Sequence, residues 1–140
     1  MTSTTTAICY AHRDKLEVYP NIDYLNKTGI NIWYDEGIPF SENWKKSIAE
    51  NIERCQEFLV FITPHILESE YVRKEISFAL GKKKAFNVVY LKATKLPTEL
   101  EFEIHDIQAL HKYLMPDPEL SNKLREVLYA KLHEQNRFNS

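Results

Sequence analysis

Phe58-Leu59-Val60-Phe61-Ile62 is an unbroken apolar run, closed by Thr63-Pro64. Its length is that of a strand. With no polar residue to face water, it predicts a strand covered on both sides. Downstream, Ser69-Glu70-Tyr71-Val72-Arg73-Lys74-Glu75-Ile76 reads as the start of a helix. At about 100° per residue, Val72, Ile76 and Ala79 form one apolar stripe, and Tyr71, Glu75 and Phe78 form a second beside it. Glu75 is therefore a carboxylate between two aromatics at the border of a buried face, a position that suits contact with a cation or an electron-poor sugar.

Working outward, short apolar runs alternate with helical patterns. Ala7–Tyr10 is a first strand, followed by a helix from about Asp14 to Lys27 that Pro20 would make irregular. Gly29 is its C-cap, and Asp14 reads as its N-cap. Ile30–Tyr34 is a second strand, and Asp35–Asn43 a loop with Gly37 and Pro39. Ser41 is the expected N-cap of the next helix, whose apolar face is Trp44, Ile48, Ile52 and Cys55. The Glu75 helix runs to about Lys82. Val88–Leu91 is a fourth strand, Ala93–Asp106 an irregular polar stretch, Ile107–Leu110 a short edge strand, and Glu119–Glu134 a final helix. Strands separated by helices imply right-handed βαβ units and a parallel sheet with helices on both faces.

Composition sets limits. The chain has 140 residues, enough for one domain with a real core. Its formal net charge of -2 gives no reason to expect a nucleic-acid or membrane surface. Lys82-Lys83-Lys84 reads as helix-dipole compensation. Two cysteines, Cys9 and Cys55, supply no disulfide framework and no metal-binding pair, which fits a reducing, cytoplasmic setting. No apolar run approaches the roughly 18 residues of a membrane span, and Met1–Thr6 lacks the pattern of a signal peptide.

Ligands of such sheets bind beyond the carboxyl ends of the strands, where the strand order reverses. The loop after strand one reads Ala11-His12-Arg13-Asp14, without the glycines of a dinucleotide fingerprint, and no P-loop is present. Strand three ends without the aspartate of a phospho-acceptor. What remains is aromatic and acidic: Tyr10, Trp33, Tyr34, Asp35, Glu36, Phe40, Tyr71 and Glu75. Aromatics stack on heterocycles. A carboxylate holds ribose hydroxyls or stabilises a positive sugar centre. His12 reads as a polar loop residue, and His65, His105, His111 and His133 show no partner pattern.

These residues resemble a known family. Ala7-Ile8-Cys9-Tyr10-Ala11-His12-Arg13-Asp14 is similar to the opening box of TIR (Toll/interleukin-1 receptor) domains, a strand ending in Tyr-Ser-His-x-Asp. Trp33-Tyr34-Asp35, then Gly37-Ile38-Pro39 and Trp44, resemble the second strand and BB loop. Ile52-Glu53-Arg54-Cys55, Phe58–Pro64 and Ser69-x-Tyr71-x-x-x-Glu75 resemble the third strand and the helix after it. The pattern resembles bacterial members more than animal receptors.

The resemblance implies a flavodoxin-like three-layer sandwich, a central five-stranded parallel sheet with helices on both faces, over residues 6–135, with flexible 1–5 and a tail at 136–140. It implies an NAD+ glycohydrolase that releases nicotinamide and ADP-ribose or a cyclic variant, acting in bacterial antiviral defence when assembled. NAD+ is then substrate, with no cofactor and no metal. Glu75 falls on the family's catalytic glutamate. Tyr71 stands where tryptophan is common, and Ala11 where serine is. Tyr10, Ala11, Trp33, Asp35, Phe40 and Tyr71 are the expected substrate-binding residues. Expected partners are a second copy, met through the 36–43 loop, and a sensor domain or protein. Two alternatives stay open: a non-catalytic signalling adaptor working by TIR–TIR contacts, and nucleoside deoxyribosyl transfer by a glutamate nucleophile.

Overall fold

The computed structural model describes residues 4–36 and 43–115, together with 122, 123 and 126. Five strands, β1 (Thr5–Cys9), β2 (Asn31–Tyr34), β3 (Glu57–Ile62), β4 (Ala85–Tyr90) and β5 (Ala109–His111), form one sheet in the order β2-β1-β3-β4-β5. Every neighbouring pair is parallel. This is the flavodoxin-like order, in which the chain reverses direction across the sheet between β1 and β3. The helices α1 (Lys15–Lys27), α2 (Trp44–Arg54), α3 (Glu70–Gly81) and α4 (Thr98–Ile104) accompany it.

The run that predicted a doubly covered strand is buried along its whole length. Its side chains alternate between two cores, as a period of two requires. Phe58, Val60 and Ile62 pack with Cys9, Ile48, Ile52, Val72 and Ile76 beneath α2 and α3. Leu59 and Phe61 pack with Ile8, Tyr10, Val18, Ile22 and Leu25 beneath α1. The Val72/Ile76/Ala79 stripe of α3 is buried as its spacing predicts.

Several boundaries differ from the sequence reading. β4 begins at Ala85 rather than Val88, because the preceding turn closes at Lys83, whose φ is 56°. The stretch read as irregular contains α4, which buries Leu100 and Ile104, one turn apart. A helix of 7 residues offers too little periodicity to register. α1 runs through Pro20 without a break. Gly29, at φ +93°, ends α1 as predicted. Ser41 lies outside the described residues, as does most of the predicted final helix, although Asn122, Lys123 and Glu126 are helical.

Asp14 is not the helix cap that its position suggests; its side chain makes no capping bond. Its carboxylate turns inward, 4% exposed, and accepts from the Thr63 hydroxyl at one oxygen. The other oxygen meets His65 Nδ1 at 2.6 Å. His65, which had no partner visible in the sequence, thus helps tie the loop after β1 to the loop after β3. Both loops flank the point of strand-order reversal. Removing the carboxylate would leave a buried hydroxyl and an imidazole without their acceptor, a cost of about 2–3 kcal/mol. Asp14→Ala is expected to lose that much stability in denaturant unfolding; a loss below about 0.5 kcal/mol would show that the tie is unimportant.

Candidate active site

α3 is capped by Ser69, whose hydroxyl accepts from the Val72 backbone N–H at 3.3 Å. Because Val72, Ile76 and Ala79 must face the sheet, Glu75 is carried to the edge of the helix, beside the end of β1. Its carboxyl is pushed up to about 7, first by burial and secondarily by the Asp35 carboxylate; the Cys9 thiol beside it, a weak donor, offsets part of the rise. Burial, followed by the charge of Glu75, raises the Cys9 thiol well above its ordinary value.

Two cavities meet at Glu75. One, of about 130 Å³, is lined by His12, Asp35, Trp44, Ser69, Tyr71, Val72 and Glu75. The other, of about 190 Å³, lies between α2 and α3 and also has Tyr71 and Glu75 in its wall. Tyr71 packs on Trp44 with ring centroids 4.7 Å apart. His12 Nε2 stands 3.4 Å from Asp35 Oδ2. The Tyr10 ring meets the His12 ring edge-on at 5.1 Å. The smaller cavity therefore joins two carboxylates, an imidazole and two aromatic rings packed at a tilt of 50°.

Of the residues singled out in the sequence, Glu75, Tyr71 and Asp35 come together. Tyr10 does not line either cavity: it belongs to the core beneath α1. Its hydroxyl donates to the Asp35 backbone carbonyl at 2.8 Å and meets Tyr19 Oη at 3.3 Å. Burial and that second tyrosine hold the phenol well above its usual range. Adjacent strand residues face opposite sides, so when Cys9 points towards α3, Tyr10 must point away. It shapes the site only by gripping the backbone at Asp35 and the ring of His12. Ala11 is buried in the core on the side of Glu75, and Trp33, level with Ala7 on β2, packs against that same core. Phe40 lies outside the described residues. Sequence reasoning passed over His12, Trp44 and Cys9. Alternation along β1 would have found Cys9, since it shares a face with the core that carries α3.

Among the described residues no group of His, Cys, Asp and Glu is arranged to hold a metal ion. No helix there is long and apolar enough to cross a membrane.

A family model described as TIR domain matches residues 7–128. The chain belongs to the TIR domain family. Among solved structures, the TIR domains of the activated Roq1 resistosome, which recognises the pathogen effector XopQ, superpose with a TM-score of 0.71 at 11% identity, covering 90% of this chain and 99% of that one. The TIR domain of the Toll-related receptor TRR-2 from Hydra magnipapillata gives 0.66 at 17% identity, over 94% and 97%. A Clostridium botulinum CMP N-glycosidase, BcmB, gives 0.59 at 16% identity, over 85% and 97%. At these identities the likeness is one of fold. No curated protein matches the chain.

The raised Glu75 carboxyl has a consequence for this TIR domain's stability. Below pH 4.5 the group is protonated in both the folded and the unfolded chain. Between 4.5 and about 7 only the folded chain keeps its proton, so stability falls with rising pH across that window and levels off above it. Since Glu75 reaches solvent at its rim, the full linkage value is discounted to about 1–2 kcal/mol. Glu75→Gln is expected to melt higher than the parent at pH 8, with the gap closing towards pH 5. A variant less stable than the parent at pH 8 would contradict the desolvation.

Proposed function

We propose that this TIR domain is an NAD+ glycohydrolase whose reacting centre is the smaller cavity at Glu75. The observation that carries the reading is a desolvated carboxylate opening into a cleft walled by Tyr71, Trp44, Asp35 and His12. The nicotinamide–ribose bond has a cationic leaving group, so its cleavage needs no strong acid at nitrogen. It needs negative charge at the sugar as oxocarbenium character develops at C1′. Ionised Glu75 supplies that charge in a setting where water screens it little. Tyr71 and Trp44 offer flat faces to the pyridine ring.

Once neutral nicotinamide departs with the bonding electron pair, water forms the new C1′–O bond. Its proton passes to His12, which Asp35 orients, and the products are ADP-ribose, nicotinamide and a proton. If a ring nitrogen of the same nucleotide reaches C1′ before water, the product is cyclic.

Activity is assembly-gated in this reading, as a cytoplasmic effector of antiviral defence under a sensor would require. The Roq1 TIR domains act within a resistosome, and that likeness favours self-association here. It equally favours the second reading, a signalling adaptor that assembles without turnover.

Nicotinamide release from NAD+ decides between them. The parent protein should release it at a rate rising more than linearly with protein concentration, and Glu75→Gln should be slower by about 100-fold or more. Equal rates would remove Glu75 from the chemistry; assembly without release at any concentration would leave the adaptor. His12→Gln should lower hydrolysis more than exchange of nicotinamide for an added pyridine, because a pyridine nitrogen attacks without surrendering a proton. An unchanged ratio of the two would exclude His12 as the base.

A further inference from the structure

The larger cavity is not needed for the chemistry at C1′, yet it shares a wall with the smaller one. It runs between α2 and α3 over an apolar floor of Ile48, Ala49, Ile52 and Phe78. Lys45 and Lys74 stand at its rim. Their ammonium groups lie 5.7 Å and 5.6 Å from the centroid of one ring, that of Tyr71. Neither lysine is in an ion pair among the described residues, whereas Lys46 on α2 meets Glu50 and Lys82 beyond α3 meets Glu53. Among the described residues, two cations are thus gathered on the ridge between the lobes with no acid paired to either, and Glu75 stands at the junction. Such a ridge attracts an anion of more than one charge.

We propose that the α2–α3 groove is a subsite for the adenosine diphosphate half of a dinucleotide, with the pyrophosphate over Tyr71 between Lys45 and Lys74 and the adenine on the apolar floor. The inference rests on the reading of the smaller cavity as the nicotinamide–ribose site. Its logic is shape and charge together. A dinucleotide has two ring-bearing ends and an anionic waist; the cleft has two lobes and a cationic ridge. Lysine serves as a point charge for phosphate oxygens. A purine edge suits Ile48, Ile52 and Phe78, where no polar group sets a sequence of donors and acceptors. The smaller lobe is the polar one, and only there do groups that can handle charge and protons converge. The arrangement would select dinucleotides over mononucleotides by binding and leave the bond-breaking step to Glu75.

ADP tests the subsite without any glycosidic bond to cleave. Titrated calorimetrically into the full chain, it should bind, and Lys45→Gln/Lys74→Gln should weaken it about tenfold. The same double variant should raise KM for NAD+ by a similar factor while leaving KM for nicotinamide riboside, which lacks both phosphates and the adenosine, within twofold. Ile48→Trp, which fills the floor, should also exclude ADP; its thermal melt checks that it folds. If ADP binds parent and lysine variant equally, or fails to bind the parent at millimolar concentration, the subsite is wrong even if NAD+ is cleaved. If ADP binding depends on the lysines while NAD+ is not cleaved, the subsite stands and the glycohydrolase reading falls.

Discussion

The packing of α3 on the sheet decides where the perturbed carboxylate of Glu75 must sit. Val72, Ile76 and Ala79 are buried to 3% exposure or less, and pulling them out to relieve Glu75 would expose three apolar side chains together. Each of the larger two is worth about 1.5–3 kcal/mol of burial. The desolvation of Glu75 costs less than that, so the helix stays and the carboxylate is held beside Cys9 with a raised proton affinity. A carboxylate held at such a place is a local instability that the surrounding core offsets.

The rest of the site follows from the strand-order reversal. β1 is hydrogen-bonded to β2 on one side and β3 on the other. The loops after all three therefore converge, bringing His12, Asp35 and the start of α3 to one edge. The Asp14–Thr63–His65 cluster ties the first loop to the third, and Tyr10 ties the first strand to the second through the Asp35 carbonyl. Buried polar ties of this kind fix a loop more firmly than apolar contact alone, because each leaves an unsatisfied group behind if it breaks.

What could be read from the sequence was whatever repeats along the chain. The apolar run of β3 and the two stripes of α3 carry their burial in their spacing, and both cores and the position of Glu75 follow. What could not be read was contact between segments far apart in sequence. Asp14 looked like a cap because its local position is that of one; only the fold brings Thr63 and His65, some fifty residues on, to its carboxylate. Tyr10 was expected at the ligand because it ends the right strand, but the pleat turns it to the opposite core. His12 is a polar loop residue by sequence, and only the fold brings Asp35, from another loop, beside it. The lysines of the groove were invisible for the same reason: Lys45 and Lys74 lie on different helices, and their shared ring belongs to a third position.

The dependence of nicotinamide release on pH tests the central claim most directly. If ionised Glu75 stabilises the sugar cation, kcat/KM for NAD+ must rise with pH and level off above a midpoint set by the free protein's Glu75, at about 7. A profile flat from pH 5.5 to 8.5, or one already level just above the ordinary carboxylate value of 4.5, would contradict it.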